Sequence, residues 1–398
     1  MRVLITTDAY HTMINGVAVS VNMLYEGLKE AGHDVRILTL SQTKNSYRKG
    51  DVYAVGSREF RIYPDVRVAC SMSEEILLSI CDWSPEVIHS QSEFSTFVFA
   101  KKIARKLGIP IVHTYHTLYE SYTHYFCPSK NVGRWIVSIA SRWICNQSQV
   151  VIAPTRKIEE ILSGYGVNTE IQIVPTGLQL EKFRNMQCMK SEMRMELGIP
   201  QEAKVLVFLG RVACEKKIDF LIRQMIDKEM YLVIVGDGPQ KKQLEALTER
   251  LGVGEKVFFT GPVQPAEVPR YYQVGDVFVS ASESETQGLT YVEAMASGLP
   301  LLCKKDKCLE QVLFEGENGY FFEDERSFAE KLERLFSEEG EISSLQEKAR
   351  KTANRFSKET FAKKAAEVYK IAMKEKGGEI CIPFECIPKQ IWRKVTGY

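Results

Sequence analysis

Short apolar runs alternate with segments whose apolar residues recur at helical spacing along most of the chain. Strand-length runs separated by helical periods predict parallel sheets with helices packed on them. In the first half the predicted strands are Val3–Thr6, Val35–Leu40, Val87–His89, Ile111–His113, Val150–Ala153 and Ile171–Val174. Helical periods fall between them, for example Val17–Ala31 and Phe97–Leu107, and Gly32-His33-Asp34 supplies a helix-to-strand turn. After Pro175-Thr176-Gly177 the pattern loosens. It restarts with Val205–Gly210, Tyr231–Val235, Val257–Thr260 and Val277–Ser280.

The pattern predicts two α/β domains of Rossmann-like construction, 1–177 and 178–377, with a tail, 378–398, placed to pack back on the first. A chain of 398 residues lets each half bury its own core. Ligands of such sheets sit at the carboxyl ends of the strands, so two facing domains put the site in their cleft. A net charge of +1 argues against bulk binding to nucleic acid. The ten cysteines include no C-x-x-C pair and no histidine spacing that completes a zinc site, which reads as reduced thiols in a cytoplasmic protein. The opening MRVLITTDAY reads as a strand and not as a signal peptide, and no apolar stretch has the length to span a bilayer.

The densest chemistry lies at Ser280–Pro300, SASESETQGLTYVEAMASGLP. An apolar strand leads into a polar loop holding Glu285, and a helix opens at Gly288 with Glu293 about one turn inside it. The free amides of a helix N-terminus attract phosphate. A carboxylate just inside such a helix can take a ribose hydroxyl pair, and one just before it can reach a sugar beyond the phosphates. For two glutamates at this spacing alone, a solvated loop and an amphipathic helix would serve as well. The whole segment resembles the donor-site signature of the retaining glycosyltransferases of family 4, S-x-x-E-x-x-G-x-x-x-x-E-A-M-A-x-G-x-P. The matching residues are Ser282, Glu285, Gly288, Glu293, Ala294, Met295, Ala296, Gly298 and Pro300.

That resemblance implies the GT-B architecture, two Rossmann-like domains facing across a cleft. It also implies a nucleotide sugar as co-substrate and no resident cofactor. The donor-binding residues it implies are Gly16, in TDAYHTMINGVAVS after the first strand, with Arg211 and Lys216 in FLGRVACEKKIDFLI. Gly238 in VGDGP and Gly261 in TGP join them, with Glu285, Gly288, Leu289, Thr290 and Glu293. Arg211 and Lys216 would clamp a diphosphate and neutralise charge on the leaving group. His116, in VHTYHTLYESYTHY with His113 and His124, matches the family's histidine close to the donor sugar. The implied catalytic set is therefore His116, Arg211, Lys216 and Glu285, and Glu93 in HSQSEF is the acceptor-side candidate.

Three positions depart from the family pattern: Asn15 for the first of two loop glycines, Lys217 for a common glycine, and Gln91 for the second histidine of a strand-end H-x-H. The three histidines do not share one helical face, and no D-x-D pair stands in a suitable place, so no catalytic metal is expected. In VGDGP a dinucleotide fingerprint lacks its third glycine, Lys241 standing there, and an NAD oxidoreductase is excluded on that pattern.

Between Phe94 and Ile158 nine basic residues meet a single acid, Glu120. Trp135, Ile136, Ile139, Trp143 and Ile144 interleave with them, mostly on one helical face. A basic amphipathic surface with Trp lies down on anionic membranes, each basic side chain adding about 1 kcal/mol. Helices packed inside the domain with solvated Lys and Arg are the other reading. The membrane-binding candidates are Lys101, Lys102, Arg105, Lys106, Arg134, Trp135, Arg142 and Trp143. Within family 4, HSQSEF, the His/Tyr segment and ETQGLTYVEAMA together resemble the bacterial diacylglycerol glucosyltransferases. The resemblance implies transfer of glucose from UDP-glucose to the free hydroxyl of diacylglycerol, by a cytoplasmic enzyme peripheral on the inner face of the cell membrane. Another hexose, or another acceptor such as a glycolipid, a polyprenyl carrier or a small alcohol, stays open. A nucleotide-sugar-binding regulator without turnover is a further class, against which the intact Arg211, Lys216, Glu285 and Glu293 set speaks.

Overall fold

The computed structural model of the protein describes residues 1–10, 16–59, 67–120, 129–184, 189–337 and 341–374. Its first sheet has eight strands. Their order is Glu170–Ile173, Val150–Ala153, Ile111–Thr114, Val87–Ser90, Arg2–Thr6, Asp34–Leu40, Val52–Val55 and Tyr47–Lys49, with only the last pair antiparallel. The second sheet has six, all parallel. They run Val257–Gly261, Met230–Val235, Lys204–Leu209, Val277–Ser280, Leu301–Lys304 and Gly319–Phe322.

Side chains alternate across each strand, and here both faces are covered. Val3 and Ile5 pack with the helices Gly16–Glu30 and Lys358–Lys374, whereas Leu4 and Leu38 pack with Glu74–Trp83 and Ser95–Leu107. In the second sheet Leu206, Ile234 and Val279 lie with Ile218–Arg223 and Lys241–Leu251, and Phe278 and Leu301 lie with Leu289–Ser297. Double coverage is why these strands read as continuous apolar runs.

The chain crosses between the domains twice, and the crossings touch. Leu178 N donates to Phe356 O at 2.8 Å, and Lys358 N donates to Leu178 O at 3.0 Å. Gly177 makes room for this approach, since a Cβ there would lie 2.4 Å from the Ser357 carbonyl oxygen. Beyond the second crossing, Lys358–Lys374 packs on Gly16–Glu30 and buries Phe361, Ala365, Val368 and Tyr369 in the first domain. Lys358 anchors its start, 2.6 Å from Glu30 and 3.7 Å from Glu26. This differs from the sequence boundary, which gave everything through 377 to the second domain. An apolar stripe says that a helix is covered, not by which sheet. Asn15, His124 and the tail 378–398 lie outside the described residues.

Candidate active site

Strand Val277–Ser280 runs into the polar loop, and helix Leu289–Ser297 starts behind Gly288, whose φ of +72° is left-handed. A Cβ at Gly288 would sit 2.3 Å from the Tyr291 ring, so the turn needs glycine twice over. Gly16, the first residue of its helix, lies opposite: a Cβ built on it would be 3.8 Å from Leu289 Cδ1. Two helix N-termini, one from each domain, thus meet at Leu289, and both present positive dipole ends there.

Around this point the second domain gathers its charged groups. Lys216 is paired with Glu285, both side chains part-buried. Tyr272 Oη donates to Glu293 Oε2 at 2.7 Å, and burial raises the pKa of that carboxyl. Arg211 is exposed just past strand Lys204–Leu209. Cβ atoms on Gly236 and Gly238 would lie 2.1 Å and 2.3 Å from the carbonyl oxygens of Gly210 and Val212. Close backbone packing of VGDGP on GRV therefore accounts by itself for both glycines, and Val212 N donates to Asp237 O at 2.9 Å. Gly236 bridges Gly261, whose φ is +74°.

The first domain contributes a chain of polar groups at its strand ends. Tyr369 Oη is 2.7 Å from His89 Nδ1, and His89 Nε2 is 2.7 Å from Thr114 Oγ1 and 3.0 Å from Gln91 Nε2. Gln91 Oε1 is 2.5 Å from His116 Nε2. Burial lowers the His116 pKa to about 4 and holds His89 well below the ordinary imidazole value, so both rings are neutral at pH 7. Beside them, Glu93 Oε2 accepts from Tyr119 Oη at 2.8 Å, and Oε1 is 3.8 Å from His113 Nε2. That Oε1 has no hydrogen-bond partner among the described residues, and burial pushes the Glu93 pKa up to about 7. Asp8 accepts from the amides of Phe94 and Thr96 at 3.3 Å and 2.9 Å and so caps Ser95–Leu107; burial raises its pKa to about 6.

Contacts on both sides of Glu285 pin its loop to the first domain. Gln287 Oε1 accepts from Thr176 N at 2.8 Å while its Nε2 donates to Thr176 O at 2.9 Å. Thr155 Oγ1 donates to Thr286 O at 2.8 Å, and Lys157 Nζ reaches Glu283 O at 2.9 Å and Asp306 at 2.7 Å.

Of the residues singled out in the sequence, Lys216, Glu285, Gly288, Leu289, Thr290 and Glu293 gather in one place with Gly16 opposite. His116 and Glu93 gather at the strand ends of the first domain. Asp8, Gln287, Tyr272 and Tyr369 were not singled out. Asp8 carried a signal, an acid directly after a strand, whereas the other three act through partners distant in sequence.

Helix Lys130–Cys145 exposes Val132, Trp135, Ile136, Ile139 and Trp143, with Trp135 64% accessible. Lys102, Arg105 and Lys106 are exposed on Ser95–Leu107, and Arg142 on its own helix. Lys101 bonds to Gln147 with its ammonium 5.1 Å from the Trp143 ring centre, and Arg134 pairs with Glu120 at 3.0 Å. Tyr115 Oη and Ser141 Oγ, 2.9 Å apart, join the Trp-bearing helix to the segment holding His116. Among the described residues no helix is long and apolar enough to cross a membrane.

Two parallel-sheet domains joined by a double crossing, with a cleft at facing helix N-termini, define a GT-B glycosyltransferase. The same fold occurs in the sucrose-phosphate synthase of Thermosynechococcus elongatus, with a TM-score of 0.72 at 19% identity over 93% of this chain and 98% of that one. It occurs also in Anabaena HepE, solved in complex with UDP-glucose, with a TM-score of 0.71 at 16% identity over 93% and 100%. The family description "Glycosyltransferase Family 4" matches residues 14–182, and "Glycosyl transferases group 1" matches residues 189–355. The alpha-monoglucosyldiacylglycerol synthase of Streptococcus pneumoniae is 33% identical over 338 residues, 83% of this chain and 77% of that one. Its namesake in Acholeplasma laidlawii is 29% identical over 393 residues, 93% and 96%. The chain belongs to the family 4 glycosyltransferases, and over most of its length it is similar to these two synthases.

Proposed function

We propose that the protein is a retaining glucosyltransferase that moves glucose from UDP-glucose to the free hydroxyl of 1,2-diacylglycerol while lying on an anionic membrane surface. The observation that carries this reading is the exposed Trp135/Trp143 face on a helix bonded to the segment that holds His116. A lipid hydroxyl stays at the bilayer face, so its enzyme needs the cleft beside the surface that meets lipid. The names of the two synthases support the acceptor, and the UDP-glucose held by HepE supports the donor.

Arg211 and Lys216 hold the diphosphate, with the amides of Gly288, Leu289 and Thr290. Glu293 takes the ribose hydroxyls, and Gly16, Gly238 and Gly261 line the nucleotide. Glu285 contacts the donor sugar, His116 lines its other side, and Glu93 faces the acceptor. The acceptor oxygen bonds to the anomeric carbon on the face from which the phosphate oxygen departs. Its proton passes to that departing phosphate, whose charge Arg211 and Lys216 neutralise. No protein nucleophile and no resident cofactor enters this sequence of events. NMR of the purified glycolipid tests it: an α-glucosidic product from UDP-glucose is expected, and a β-linked product would overturn retention.

A further inference from the structure

The nitrogen of a side-chain amide only donates, and its oxygen only accepts. Gln91 Nε2 lies 3.0 Å from His89 Nε2, so that imidazole nitrogen is bare and the ring proton rests on Nδ1, 2.7 Å from Tyr369 Oη. Gln91 Oε1, 2.5 Å from His116 Nε2, requires a proton on that second nitrogen. The His116 ring is neutral, so its Nδ1 is left as an acceptor. His116 itself is partly exposed beyond the end of strand Ile111–Thr114. We propose that Gln91 is a positioning residue that holds His116 as the Nε2-protonated tautomer and presents Nδ1 to accept a hydrogen bond from a hydroxyl in the cleft. The relay is anchored by Tyr369, on the helix that returns from the second domain and 280 positions from His89 in sequence, so a distant residue orients the imidazole at the cleft through His89 and Gln91.

The inference rests on the reading that His116 lines the donor sugar, and the experiment separates the two. The full chain, labelled with 15N at histidine, gives ring-nitrogen NMR signals that report each tautomer, with His116 assigned by its loss in His116→Gln. The Nε2-protonated form is expected in the native protein and a mixture of tautomers in Gln91→Leu. Turnover in that variant is expected to fall about tenfold with the donor KM unchanged within about twofold. Tyr369→Phe, which removes only one hydroxyl, is expected to shift the tautomer in the same direction to a smaller extent and serves if Gln91→Leu does not fold. A His116 proton on Nδ1 in the native protein, or a tautomer that neither variant moves, would overturn the proposal. A tautomer that shifts without any change in turnover would leave Gln91 its positioning role and remove His116 from the donor site.

Discussion

Lys216 and Glu285, 69 residues apart in sequence, meet as an ion pair beside the helix that opens at Gly288. Each is the other's counter-charge, which offsets the cost of holding either in a part-buried position. An entering diphosphate competes for the ammonium. Lys216→Ala is therefore expected to lower turnover by about 100-fold or more. The fold should persist with a lowered melting temperature, because Glu285 is left part-buried without its counter-charge. Steady-state kinetics beside a thermal melt reads both. A variant with full turnover would remove Lys216 from the phosphate clamp.

Glu293 is fixed from within by Tyr272, and that hydrogen bond at 2.7 Å aims the carboxyl without supplying a counter-charge. Glu293→Gln keeps an oxygen for Tyr272 but offers one acceptor where the acid offers two. UDP affinity is expected to drop about tenfold, on the order of 1.4 kcal/mol, as titration calorimetry would show. Unchanged affinity would end the ribose-binding role.

Glu93 makes the first domain sensitive to pH. Its pKa rises from 4.5 to about 7 on folding, so folding takes up a proton in that interval and the acid's favourable contribution is lost as pH rises through it. At about 1.4 kcal/mol per unit the full effect is roughly 3 kcal/mol. Neighbouring His113, lowered to about 3, acts the opposite way, contributing stability that grows as pH rises from there to 6.5. The comparison with Glu93→Gln isolates the glutamate. Relative to that variant, the native protein should lose stability between about pH 4.5 and 7, measured by urea unfolding at each pH. Parallel curves across the window would mean that the carboxyl is not held protonated.

The membrane face can be divided by how far each side chain is exposed. Lys102, Arg105 and Lys106 are exposed, whereas Lys101 lies on Trp143 and bonds Gln147. Replacing the three exposed residues by Gln should weaken binding to anionic vesicles by about 100-fold, at about 1 kcal/mol each, and leave UDP binding intact. Trp135→Ser should weaken it as well without lowering stability, since the indole is already in water. Co-sedimentation with vesicles reads both, and unaltered binding would place the membrane contact elsewhere.

Ten strands were legible because burial on both faces leaves apolar runs, and the donor helix because Gly288 and Glu293 carry their meaning locally, whereas the strands Tyr47–Lys49, Val52–Val55, Leu301–Lys304 and Gly319–Phe322 were not singled out. Lys217 could be marked only as a departure from the family's glycine; its φ of +52° shows that the chain keeps the left-handed turn without glycine there. What stayed hidden depends on approach between distant segments. Nothing near Tyr369 announces that its hydroxyl ends on His89, and nothing near Gln287 announces its paired bonds to Thr176 across the domain boundary. Gly177 read only as the end of the first half, and its reason is the second crossing, which brings the Ser357 carbonyl against it.

The most direct test of the central proposal is incorporation of radiolabelled glucose from UDP-glucose into lipid, in vesicles of an anionic phospholipid with and without diacylglycerol. A labelled glycolipid that forms only when diacylglycerol is present is the predicted result. Release of UDP with no labelled lipid, while a soluble alcohol is glucosylated instead, would keep the transferase and contradict the lipid acceptor.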